Sequence, residues 1–145
     1  MSVLCVVAHP DDELLGVGGT LARHAADGDD VHICILSDGV TSRYDEIDAA
    51  NAEIQQRRQR AHQAADTIGA SVSLHEFPDN SFDTVPLLDL VQVIEAEIAE
   101  HDPNVVYTHH YGDLNIDHKL ACRATITATR PLELSGDDYR HASAG

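Results

Sequence analysis

Ala8-His9-Pro10-Asp11-Asp12-Glu13 decides the reading of this chain. It follows a short apolar run, Val3-Leu4-Cys5-Val6-Val7, which reads as a buried parallel strand. Open α/β sheets built on such strands bind ligands beyond the strands' carboxyl ends. The motif therefore puts one imidazole and three carboxylates where that fold carries its chemistry. So much negative charge in a cleft is costly unless compensated. A bound cation compensates it, and His with Asp is a good donor set for a first-row metal. Pro10 fixes one backbone angle at the strand exit. The competing reading is a helix N-terminus whose Asp11, Asp12 and Glu13 only complement the helix dipole. His9 adds nothing to a dipole, and it tips the balance toward a site.

A second cluster, His109-His110-Tyr111-Gly112-Asp113-Leu114-Asn115-Ile116-Asp117-His118, follows another apolar run, Val105-Val106-Tyr107. In a parallel sheet this loop emerges on the same edge as the first motif. A catalytic zinc site needs three protein ligands and one open position. His9, Asp12 and His118 can supply the three, which leaves Asp11 free as a base.

At these residues the sequence resembles the PIG-L/LmbE-like zinc-dependent N-deacetylases. Ala8 to Glu13 matches the family's first motif at every position. Asn115-Ile116-Asp117-His118 matches the last two positions of its His-x-x-His motif, with Asn at the first. Ser37-Asp38-Gly39 and Phe77-Pro78-Asp79-Asn80 also look like the family, and the resemblance runs from about Val3 to Pro131. It implies His9, Asp12 and His118 as metal ligands and Asp11 as general base. Asn115 takes the place of the His that helps stabilise the tetrahedral intermediate. An amide donates a hydrogen bond there but carries no proton or charge at neutral pH, so the role either survives only in part or passes to His110 or Tyr111. Asp117 orients His118 or another site residue, as a carboxylate beside a metal ligand does.

The layout alternates strand and helix, which predicts an α/β, Rossmann-like open, mostly parallel sheet flanked by helices. Strands are predicted at Val3 to Ala8, Val31 to Leu36, Val72 to Phe77 and Val105 to Thr108. Helices are predicted at Glu13 to Ala26, Ala49 to Ile68 and Pro86 to Glu100, and from His118 to near Arg130. Gly16-Val17-Gly18-Gly19 lacks dinucleotide spacing and follows acids where a pyrophosphate would sit. These glycines read as packing positions.

Arg57 lies beside the apolar stripe of its helix and either snorkels to solvent or reaches the cleft as a substrate-binding residue, as its family position implies. Asp79 hydrogen-bonds sugar hydroxyls or caps the turn at Pro78-Asp79-Asn80. His110 is the third candidate for binding substrate; only one of His109 and His110 faces the site from an extended segment. His24, His32, His62, His75, His101 and His141 have no partner cluster in the sequence and read as surface or packing residues.

The chain of 145 residues reads as one domain. No apolar run spans a bilayer, and the start is strand rather than signal peptide. Cys5, Cys34 and Cys122 lack metal-type spacing and read as reduced buried thiols of a cytoplasmic protein. Acidic residues number 25 against 9 basic ones, dispersed along the chain rather than gathered in a tail. Nucleic acid and anionic membrane surfaces are poor partners for such a surface, and no nucleic-acid partner is expected. Dispersed acids also suggest a salt-rich, halophilic cytoplasm, where charge is screened. Family members usually continue past the equivalent of Pro131, so the domain is expected to be C-terminally short, with a homo-oligomer as one way to cover an open edge.

The expected activity is metal-dependent removal of the acetyl group from an N-acetylated sugar or sugar conjugate, with Zn2+ as cofactor. Its rivals are a non-catalytic metal- or glycan-binding remnant of the fold and a metal-dependent hydrolase of another bond, such as an ester.

Overall fold

In the computed structural model, residues 1–37 and 47–131 are described, with side chains from 53 onward in the second stretch. Asp38-Gly39, the loop through Thr41 to Tyr44 and the tail after Pro131 lie outside the described residues.

Four parallel strands form one sheet in the order β3-β2-β1-β4: β1 Ser2–Val7, β2 Asp30–Ser37, β3 Ser71–Phe77 and β4 Val105–Thr108. The helices are α1 Asp12–Ala26, α2 Ile47–Ile68, α3 Leu87–His101 and α4 Ile116–Ala128. β1 is apolar at nearly every position because it is covered on both faces. Val3, Cys5 and Val7 pack with Leu21 of α1 and with Ala61 and Ala65 of α2. Leu4, Val6 and Ala8 pack with Leu90, Val91 and Ile94 of α3 and with Ala121 and Ala124 of α4. A period of two thus sorts one strand into two hydrophobic layers.

The strand order makes the site. The chain leaves β1 toward β2 on one side, then returns through α3 to place β4 on the other. The switch of direction falls between β1 and β4, where open α/β sheets bind their ligands. Both motifs leave the carboxyl ends of these two strands.

Two local features differ from the sequence reading. α4 begins at Ile116, not His118, because the Asn115 side chain caps it, accepting from the Asp117 and His118 amides. A one-turn 3-10 helix, Phe82–Thr84, lies between β3 and α3 and sends Phe82 into the core. Among the described residues no helix is long and apolar enough to cross a membrane.

Candidate metal centre

Asp12, in the first turn of α1, sits at the middle of the cluster. Its Oδ2 lies 3.4 Å from His9 Nδ1 and 3.2 Å from His118 Nε2. An ion bound tetrahedrally at ~2.0 Å keeps its ligand atoms about 3.3 Å apart. The three donor atoms also lie within 4.8 Å of one another. The His9 and His118 rings are tilted by 48°, so two different ring planes meet at the centre.

Each imidazole is held from behind. His9 Nε2 lies 2.9 Å from Asp117 Oδ2 and 3.2 Å from Asp79 Oδ1. His118 Nδ1 lies 3.0 Å from Asp113 Oδ2. A carboxylate on the outer nitrogen fixes the tautomer and leaves the inner nitrogen as a bare lone pair. Asp117 is fully buried, and its other oxygen accepts from the Phe82 amide. The 3-10 turn therefore sets Asp117, and Asp117 sets His9. These residues fit a divalent cation of zinc type: two borderline nitrogen donors, one carboxylate, and an outer partner for each ring.

Electrostatics agree with the geometry. Burial alone pulls the His9 imidazole down, but hydrogen bonds to Asp12 and Asp117 outweigh it and raise its pKa. Burial pushes Asp12 up, and contacts with His9, His118 and His109 outweigh that and lower its pKa. Asp113 is held down at about 2 by the Asn115 amide and by His118. These contacts favour the charged forms of Asp12 and Asp113.

Asp11 carries the strained backbone of the motif, with φ at 90°. Left-handed backbone is uncommon for a residue with a side chain and is often retained at functional sites. The Asp11 amide donates to Glu13 Oε2 at 3.1 Å. Glu13 is itself 2% exposed, and burial raises its carboxyl pKa. Although Asp11 stands at the N-cap of α1, its side chain makes no capping bond, and its carboxylate stands exposed.

The remaining sequence candidates divide. Asn115 is present, but its carbonyl oxygen is used as the α4 cap. Asp79 is 4% exposed and packs behind His9 rather than at an open, sugar-facing surface. Arg57 is tied along its own helix to Glu53, at 3.1 Å, and no contact joins it to the centre among the described residues. His110 is exposed at the mouth of a 250 Å³ pocket also lined by Asp12, His109 and Asp113. The neighbour packed into the centre is His109. Its ring stacks on His118, centroids 4.0 Å apart, and its Nε2 accepts from the Ala8 amide. Burial first, then the charge of His118, pull His109 down to about 4. It is a neutral ring that braces His118, and its Nε2 lone pair is taken by the Ala8 amide. The doublet His109-His110 flagged this position, but β4 geometry was needed to choose between the two.

Residues 4–129 match the family described as PIG-L, GlcNAc-PI de-N-acetylase. An uncharacterized deacetylase, YaiS, of Escherichia coli is 28% identical over 136 residues, 90% of this chain and 69% of that protein. A 1D-myo-inositol 2-acetamido-2-deoxy-alpha-D-glucopyranoside deacetylase of Rhodococcus opacus is 60% identical over 38 residues, 25% of this chain and 13% of that one. Among solved structures, the hydratase GalB from Pseudomonas putida superposes with a TM-score of 0.76 at 28% identity, over 88% of this chain and 55% of GalB. The A40926 pseudoaglycone deacetylase Dbv21 superposes at 0.72 and 28% identity, over 88% of this chain and 58% of Dbv21. The chain thus spans little more than half the length of these two solved relatives. With the match running through both motifs and all four strands, the chain belongs to the PIG-L (LmbE-like) GlcNAc de-N-acetylase family.

Proposed function

We propose that this chain hydrolyses the acetamide of an N-acetylated amino sugar or sugar conjugate, using a divalent cation held by His9, Asp12 and His118. The observation that carries this reading is the convergence of His9 Nδ1 and His118 Nε2 on Asp12 Oδ2, at 3.4 and 3.2 Å. Zinc is the preferred ion by donor chemistry. Once bound, it supplies a Lewis acid for the amide carbonyl and lowers the pKa of water.

The chain's own residues do the rest. Asp11 offers an exposed carboxylate beside the centre and takes the proton as water attacks the carbonyl carbon. The same carboxyl group then returns that proton to the departing amine nitrogen. Developing charge on the carbonyl oxygen needs donors. The Asn115 amide group is one, oriented by its capping oxygen. His110 is a second: its Nδ1 accepts from the Gly112 amide, which leaves the proton on Nε2. Asp117 and Asp113 keep both ligand rings in register. The buried free thiols Cys5, Cys34 and Cys122 support a reducing, cytoplasmic setting.

The hydratase among the structural relatives favours a second reading, in which the same centre adds water to a double bond. The experiment is amine release from a panel of N-acetylated hexosamines by metal-stripped and zinc-reconstituted protein. Release that appears only on reconstitution supports deacetylation. Full metal loading with no amine released from any of them overturns it in favour of the second reading or of a binding role.

A further inference from the structure

The sequence reading left His32, His75 and His101 as isolated residues. The fold brings all three to one carboxylate, away from the Asp12 centre, with His32 near the amino end of β2. His32 and Ser37 are five positions apart on β2, roughly 16 Å along the strand. Glu97, on α3, is only 7% exposed. Its Oε2 lies 3.1 Å from His32 Nε2 and 3.5 Å from His101 Nε2. Its Oε1 lies 2.9 Å from His75 Nε2 and 2.7 Å from Ser73 Oγ.

We propose that His32, Glu97 and His101 form a second divalent-cation site, which clamps β2 to the end of α3. The ligand atoms of these three residues lie within 4.8 Å of one another. The two contacts at Oε2 bracket the roughly 3.3 Å edge expected of a tetrahedral zinc site. Glu97 and His101 stand four apart on a helix, which puts both side chains on one face.

The outer nitrogen of His32 is held by a hydroxyl. Ser71 Oγ lies 2.7 Å from His32 Nδ1 and also reaches the Val31 carbonyl as a donor at 3.4 Å. His32 Nε2 lies 3.1 Å from both Glu97 Oε2 and Ser73 Oγ, so a cation bound between His32 and Glu97 takes the place of the proton they share in metal-free protein. Ser73 and His75 meanwhile secure the second oxygen of Glu97. The His32 and His101 rings are stacked, with centroids 3.7 Å apart and planes 18° from parallel. In-plane coordination by both therefore requires His101 to turn. It is the last residue of α3, with a side chain 19% exposed, and has room to do so. The buried groups here also have hydrogen-bond partners without a cation, so the alternative is a purely hydrogen-bonded network.

Zinc titration separates the two. Chelator-stripped protein is titrated with zinc, and bound metal is counted after gel filtration. Wild type is expected to take up two equivalents, and His118→Ala and His101→Ala one each. The double variant should bind none, with its circular dichroism spectrum unchanged. Zinc should raise the melting temperature of His118→Ala and leave that of the double variant where it was. A single equivalent in wild type, or two in His101→Ala, overturns the second site. If instead His118→Ala keeps two equivalents while His101→Ala keeps one, the Asp12 centre is at fault and the second site stands.

Discussion

Asp113 Oδ2 lies 3.0 Å from His118 Nδ1, and this pair decides which nitrogen of His118 faces Asp12. Asp113 also accepts from the Asn115 amide, so the loop that delivers His118 and the cap that starts α4 share one carboxylate. Removing a carboxylate partner of a metal-bound histidine typically weakens metal affinity about 10–100-fold. Asp113→Ala is therefore expected to bind zinc that much more weakly in a chelator competition, while His118→Ala abolishes binding at this centre. Unchanged affinity in Asp113→Ala would mean the ring is oriented by something else.

Asp11 gives a prediction with two separate readouts. Asp11→Asn should retain the metal and lose turnover by roughly a hundredfold or more, the scale for a general base. The backbone gives the second readout. With φ at 90°, glycine fits this position better than any side chain. Asp11→Gly should therefore be as inactive as Asp11→Ala and yet melt at a higher temperature, by about 1 kcal/mol of relieved strain. Equal melting of the two variants would show that the conformation carries no strain.

Much of this was legible in the sequence. The run Val3 to Val7 had to be central, since only a strand covered on both faces is apolar at consecutive positions. The proposed ligand set rests on two motifs that leave parallel strands on one edge, and the fold brings its three side chains together. Other parts depended on distance in space. Asp79 and Asp117 are 38 positions apart, yet both close on His9 Nε2. No spacing rule connects them. Nor does one connect His32, His75 and Glu97, which meet only once β2, β3 and α3 are stacked. Asn115 shows a different limit. Its place in a catalytic motif drew attention to chemistry and hid a helix cap that its residue type also signals.

That double role can be separated. As a cap, Asn115 accepts from the Asp117 and His118 amides at 2.8 and 3.2 Å. Asn115→Ala should cost about 0.5–2 kcal/mol. Asn115→Asp keeps an accepting oxygen and should hold most of that stability, but it loses the NH2 donor. If the amide also stabilises the oxyanion, Asn115→Asp stays folded and falls in kcat with KM little changed. Full kcat in Asn115→Asp would leave Asn115 a cap alone.

The acidic surface predicts a response to salt. The formal net charge is −16, spread along the chain. Screening shortens to about 3 Å at 1 M salt, which removes most repulsion between surface carboxylates. The melting temperature is expected to climb from dilute buffer to molar potassium chloride. An equal melting temperature at both ends would refute self-repulsion as a significant cost.

Glu97 sets the acid limit in metal-free protein. Burial pushes its carboxyl pKa up, but hydrogen bonds from His32, His75 and Ser73 more than reverse this and hold it well below its ordinary value near 4.5. A carboxyl group with a depressed folded pKa favours the native state at pH above its unfolded value. That contribution drains away as pH falls from about 4.5 toward the folded pKa, because the unfolded chain takes up the proton first. Urea midpoints measured from pH 7 down to pH 3 should therefore fall in wild type below about pH 4.5. Glu97→Gln should start lower at pH 7, having lost the charged contacts, and should fall less steeply through the same window. Parallel curves for the two proteins would show that His32 and His75 do not hold Glu97 in its charged form.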